Sequence, residues 1–183
     1  LWRLIESGEI TSDELRVRRF ELLIEKGGII TDVSARRFSE TYLHYFSESK
    51  QMEDGARELL EYLHTHPHIK KAIITNGFRD TQRKRLDITE VGHLFDDIFI
   101  SDELGAKKPD PVIFDRVMER LGRPSPESVL IIGDNLVSDI MGGKQYGLRT
   151  CWYNPRHIDP GEYSEFIDYQ IQHLNELPKL LGL

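Results

Sequence analysis

Apolar positions along these 183 residues change their period near residue 50. Before that point they recur at helical spacing. Thr11-Ser12-Asp13-Glu14 predicts a helix start, and Leu15, Leu22 and Leu23 follow in an Arg-rich helix that Gly27-Gly28 ends. Thr31 or Asp32 is expected to start the next helix. Phe38, Tyr42, Tyr45 and Phe46 fall at i, i+4, i+7 and i+8, one apolar stripe. A stripe of that kind serves packing rather than ligand contact. From Gln51 onward, short apolar runs alternate with amphipathic stretches. The pattern predicts a helix over 54–64, with Ala56, Leu59, Leu60 and Leu63 on one face, and then strand 71–75. A polar helix over 78–86 and strand 97–101 follow. Next come a helix over 110–121, strand 129–132, a helix over 136–146 closed by Gly147, and strand 149–153. A short strand over 168–171 and a helix over 174–181 complete the series. The runs at 71–75 and 129–132 lack alternation, as expected of strands buried on both faces. Alternation of helix and strand argues for an α/β fold, a mostly parallel sheet with helices on both sides.

Composition narrows the function. Hydrophobic content of 39% and charged content of 30% are ordinary for a globular domain. A net charge of −7 with no Lys/Arg cluster argues against a nucleic-acid surface. No apolar run approaches membrane-spanning length, and no basic-then-apolar signal opens the sequence. One cysteine, Cys151, cannot form an internal disulfide, which suits a reducing cytoplasm. Cys151 lies mid-strand beside Trp152 and reads as a buried structural thiol. His64, His66 and His68 do not share a helix face, and Pro67 ends the helix there. They read as a solvated helix end rather than a metal site.

Three strand ends carry candidate chemistry. The run 129–139, VLIIGDNLVSD, breaks at Gly133 into a loop holding Asp134 and Asp139. Two hard oxygen ligands there suit Mg²⁺, which takes a few carboxylates plus water and substrate phosphate. A helix cap made by either acid fits the same residues. Strand 71–75 runs into Thr75-Asn76-Gly77. Its hydroxyl, free amides and glycine before a helix fit a phosphate cradle, and they fit a plain strand-to-helix turn as well. After strand 97–101, Lys108 precedes Pro109, which restricts it to an extended conformation, and Pro111 suits the first turn of the next helix. A lysine fixed there can neutralise phosphate charge; a solvated Lys107-Lys108 pair is the alternative. In a parallel sheet all three ends lie along one edge, where ligands bind.

In this order and spacing, IITNG, KKPDPVIF and IIGDNLVSDIMGG strongly resemble motifs two, three and four of the haloacid dehalogenase-like hydrolase superfamily, over residues 54–153. The run GDNLVSDIMGGKQYGLRTCWYNP is similar to the pyrimidine 5′-nucleotidase branch. The resemblance implies a Rossmann-like core over residues 51–183 and part of a helical cap over residues 1–50. It implies that Thr75 and the N–H of Asn76, with Gly77, bind a phosphoryl group and that Lys108 bridges nucleophile and phosphate. It implies that Asp134 binds Mg²⁺ and that Asp139 is a second ligand or orders Lys108 and the metal's waters. The implied activity is a Mg²⁺-dependent phosphomonoesterase acting on a small phosphate ester, a nucleoside 5′-monophosphate above all. Sugar phosphates and phosphoglycolate are the alternative substrates. A metal-free haloacid dehalogenase and an inactive phospholigand- or protein-binding fragment are the rival functions. The family's first motif, a strand ending in Asp-x-Asp that supplies nucleophile and acid/base, does not occur before Asp54. It is expected to precede Leu1, on a central strand between 71–75 and 129–132, so that these 183 residues alone are expected to be inactive and poorly stable.

Overall fold

A computed structural model describes residues 10–183. Contacts divide the protein into two units, one of Leu1–Lys50 with Asp80–Ile88, the other of Gln51–Arg79 with Thr89–Leu183. This departs from a single boundary at residue 50, because the segment 80–88 returns to the first unit. It does so through an ion pair between Lys84 and Glu48 and through Arg85, whose guanidinium lies 4.4 Å from the Phe46 ring centroid.

The first unit is helical. Helix α1 (Ser12–Lys26) is capped by Thr11, whose Oγ1 accepts from Glu14 N–H at 3.2 Å while Thr11 N–H donates to Glu14 Oε2 at 2.7 Å. Helix α2 (Ala35–Ser47) starts later than expected. Ser34 caps it by accepting from Arg37 N–H, whereas the Thr31 hydroxyl is engaged by Val33 N–H in a local turn. Phe20 of α1 lies 6.4 Å from Phe38 and 5.6 Å from Tyr42, and Tyr42 stacks on Phe46. Tyr45 is not in this stack and is 71% exposed. The buried face of α2 is centred toward Ser39, Phe46 and Ser47, which carries Tyr45 to its rim.

The second unit is α/β. Its elements in order are α3 (Ala56–His64), β1 (Ala72–Thr75), the ends of α4 (Arg79–Thr89), β2 (Asp97–Ile100), α5 (Ser101–Leu104), α6 (Pro111–Arg120), β3 (Leu130–Gly133), α7 (Gly142–Tyr146), β4 (Arg149–Tyr153), β5 (Tyr169–Ile171) and α8 (Leu177–Leu181). Every strand pair is parallel. β1 pairs with β2, Thr75 opposite Ile100. β3, β4 and β5 form a second sheet, with Gly133 opposite Trp152 and Tyr153 opposite Ile171. Among the described residues β1 and β3 are not hydrogen-bonded to one another, so the sheet is in two parts. Their expected burial on both faces is correspondingly incomplete: Ala72 is exposed and Ile132 is 38% exposed.

Helices cover both faces of the three-stranded sheet. Ile113, Phe114 and Met118 of α6 pack with Ile131 and Leu148 on one side, joined by Ile74 of β1. Leu63 of α3, Cys151, Ile171 and Leu177 of α8 pack on the other. Ile131 and Leu130 point to opposite faces because side chains alternate along a strand. The helix expected over 136–146 is not uniform. Residues 136–141 form one π-helical turn, with Ile140 N–H reaching Asn135 C=O, and the α-helix begins only at Gly142. Among the described residues no helix is long and apolar enough to cross a membrane.

Candidate functional site

The carboxyl ends of β1 and β3 are joined by one buried lysine. Lys108 is 8% exposed, and its Nζ donates to Ile74 C=O at 2.8 Å and to Asp139 Oδ1 at 2.5 Å. An ammonium has three donors, so one remains for a ligand. The Lys108–Pro109 peptide is cis. Asp110 then caps α6 by accepting from Val112 N–H, with Pro111 in the first turn as expected.

Asp139 is 6% exposed and sits on the π-helical turn. Its Oδ2 accepts from Asn135 N–H at 3.1 Å. It can enter only because residue 133 is glycine, since a Cβ there would lie 2.3 Å from Asp139 Oδ2. Both carboxylate oxygens are therefore engaged within the protein. The contact between Asp139 and Lys108 is the geometry that ordering the lysine requires. The helix cap expected of Asp134 or Asp139 belongs to neither. Asn135 makes it, its Oδ1 accepting from Val137 and Ser138 N–H.

Asp134 lies just past β3 and is exposed. Trp152 Nε1 donates to the Asp134 backbone C=O at 3.1 Å, which fixes the start of the loop. Among the described residues its carboxylate has no hydrogen-bond partner, and no group of three or more His, Cys, Asp or Glu could hold a metal ion. One available carboxylate fits Mg²⁺, which keeps several waters and completes its shell with substrate oxygens. The edge is also acidic. Burial, the bond to Glu53 at 3.1 Å, and the charges of Glu53, Asp54 and Asp134 together push the Tyr153 hydroxyl above the ordinary phenol range.

At the end of β1, Thr75 Oγ1 accepts from Gly77 N–H at 3.1 Å. This leaves the hydroxyl proton to donate. It also withdraws the Gly77 N–H from the cradle, contrary to expectation. The Asn76 side chain points to the Lys108 segment: Oδ1 accepts from Lys108 N–H and Nδ2 donates to Lys108 C=O, both at 2.8 Å. The structure thus joins Thr75, Asn76, Lys108 and Asp139 through a continuous set of contacts that ends at Gly133, beside Asp134. The roles of Ile74 C=O, the Asn76 carboxamide, Asn135 and Trp152 have no counterpart among the sequence expectations. Gly133 and the pair Gly142-Gly143 are where missing side chains allow the close approaches. A cavity of about 450 Å³ opens at the other edge of the second sheet, against Leu130, Arg149 and Tyr169, away from this constellation.

Known proteins resemble this one over most of its length. The profile of haloacid dehalogenase-like hydrolases matches residues 9–147. HAD-hydrolase YfnB of Bacillus subtilis is 37% identical over 183 residues, all of this protein and 76% of YfnB. Pyrimidine 5′-nucleotidase YjjG of Escherichia coli is 36% identical over 99% of this protein and 77% of its own length. Pyrimidine 5′-nucleotidase PynA of Streptococcus pneumoniae is 33% identical over 87% of this protein and 66% of its own. A crystal structure of YfnB bound to magnesium superposes with a TM-score of 0.85, covering all of this protein and 77% of that one.

Proposed function

Because the chain belongs to the haloacid dehalogenase-like hydrolases, we propose that it carries the phosphate- and metal-binding half of a Mg²⁺-dependent phosphomonoesterase acting on nucleoside 5′-monophosphates. The observation that carries the proposal is the buried Lys108, tied to Ile74 C=O and Asp139 between two strand ends, with an unengaged Asp134 on the loop that also carries Asp139. The substrate class is supported by the nucleotidases YjjG and PynA among its relatives.

Each residue then has one task. The Thr75 hydroxyl donates to a phosphoryl oxygen. The backbone N–H of Asn76 points to the same group. The Lys108 ammonium offers its remaining proton to the phosphoryl group and offsets the charge that develops there. Asp139 holds that ammonium in place. Asp134 holds the metal. Mg²⁺, when bound there, polarises the phosphoryl group and offsets its charge. The helical unit selects the substrate.

The test is a panel of phosphate monoesters offered to the full-length protein with Mg²⁺. Nucleoside 5′-monophosphates are expected to be the best substrates. Asp134→Asn is expected to abolish turnover, and EDTA to do the same to the wild type. Undiminished turnover in EDTA would overturn the metal role, and halide release from haloacids without phosphate release would overturn the reaction class.

A further inference from the structure

Lys108 sits in residues 105–110, a segment without regular secondary structure. Such a segment has no ladder of its own, so other contacts must set where its ammonium lies. Two bonds from one side group do this. Asn76 Oδ1 accepts from Lys108 N–H and Asn76 Nδ2 donates to Lys108 C=O, each at 2.8 Å. A single carboxamide thereby pairs with both backbone groups of one residue, the exchange that neighbouring antiparallel strands make. Asn76 directly follows β1. Its side chain extends that strand's bonding one residue past its end, to a partner 32 positions on.

Few residue types are able to do this. An amide presents an acceptor and a donor side by side, a carboxylate presents acceptors only, and a hydroxyl has a single oxygen. A second restraint acts through the neighbouring residue. Pro109 packs against Gly142 so closely that a Cβ on residue 142 would lie 2.7 Å from Pro109 Cβ. The third and fourth are the bonds of the Lys108 head to Ile74 C=O and Asp139.

We infer that the Asn76 carboxamide is a positioning residue that acts through the backbone of Lys108, with Gly142 as the seat for Pro109, and that it does not itself touch the phosphoryl group. The effect on turnover rests on the proposed phosphatase function. The clamp itself rests on the contacts above.

Two measurements on the full-length protein separate those layers. In the first, amide exchange by NMR, Asn76→Ala exposes the Lys108 N–H, and its exchange is expected to quicken about tenfold, the worth of one net hydrogen bond. Unchanged exchange would overturn the clamp. In the second, binding of inorganic phosphate with Mg²⁺ is compared across Asn76→Ala, Lys108→Ala and the double variant. The double variant is expected to bind as Lys108→Ala does, because nothing remains to be positioned. A further loss in the double variant equal to that of Asn76→Ala alone would overturn the inference and put the Asn76 carboxamide on the phosphate. The near-isosteric Asn76→Asp guards against misfolding. It keeps an acceptor but loses the donor, and its kcat is expected to fall about 10²-fold, with KM changed much less. Wild-type kcat in Asn76→Asp would overturn the two-point clamp. If the wild type neither binds phosphate nor hydrolyses phosphate esters, the proposed function fails, and the exchange measurement still decides the clamp.

Discussion

The helical unit and the α/β unit bury their side chains in different ways. In the α/β unit, Ile100, Ile113, Thr150 and Cys151 have no exposed surface, and Phe99 has 1%. Glycines let the backbone close in: a Cβ at Gly143 would lie 2.5 Å from Ile131 Cγ2. In the helical unit, Leu15 is the one fully buried large hydrophobic residue among the described residues, while Ile30 is fully exposed and Leu23 is 54% exposed. Its aromatic rings meet one another but stay partly open to solvent. A tightly packed unit can hold reacting groups to a fraction of an ångström, and a loosely packed one can adapt its surface. Lys108 and Asp139 belong to the first kind, which suits the chemistry proposed for them.

That contrast can be tested by where substitutions hurt. The largest loss is expected for Asp139→Ala, which leaves the Lys108 ammonium buried and unpaired. Urea unfolding is expected to register about 3–5 kcal/mol. Replacing both partners, Lys108→Met with Asp139→Leu, is expected to recover most of that loss while abolishing turnover. Next comes Gly143→Ala, which drives a methyl into Ile131 and is expected to cost about 1–3 kcal/mol. In the helical unit, Thr11→Ala removes the α1 cap and is expected to cost about 1 kcal/mol. Any loss in that unit comparable to the Asp139 loss would contradict the difference in packing.

The smallest effect is electrostatic. Burial pushes the Asp168 carboxyl up, but the Lys144 ammonium and the N–H and O–H of Thr150 outweigh it and hold Asp168 below the usual carboxylate range. A depressed folded value stabilises the fold above the unfolded carboxylate pKa of about 3.9 and loses that contribution as pH falls through the folded value. Asp168 is solvent-exposed, so its share is below about 1 kcal/mol. Asp168→Asn is expected to flatten the acid limb of stability below about pH 4, as read by thermal melts between pH 7 and pH 2. Cys151 gives a further probe of the tight unit. Burial pushes its thiol up to about 11, so Ellman's reagent at pH 8 is expected to label it only on unfolding.

Much of this is legible in the residues. Thr75, Lys108 and Asp134 are marked as strand-end positions by local signals: apolar runs that stop, a proline after the lysine, a glycine before the acid. Such signals act over four or five residues. The π-helical turn at 136–141 is not legible, because its apolar spacing also fits an ordinary helix. Nor is the start of α2, where Thr31, Asp32 and Ser34 are all capable caps and the choice falls to which hydroxyl is already engaged.

Order of elements, fold class and the residue types brought to one edge of the sheet are written in the sequence itself, since alternating burial and strand-to-helix turns are decided by near neighbours. Partnership was decided in three dimensions. That Asp139 turns to Lys108, and that Asn76 grips the backbone 32 residues away, depends on how closely β1, β3 and the segment 105–110 approach. Those distances are set by missing side chains at Gly133 and Gly142, whose effect appears only when distant backbones meet.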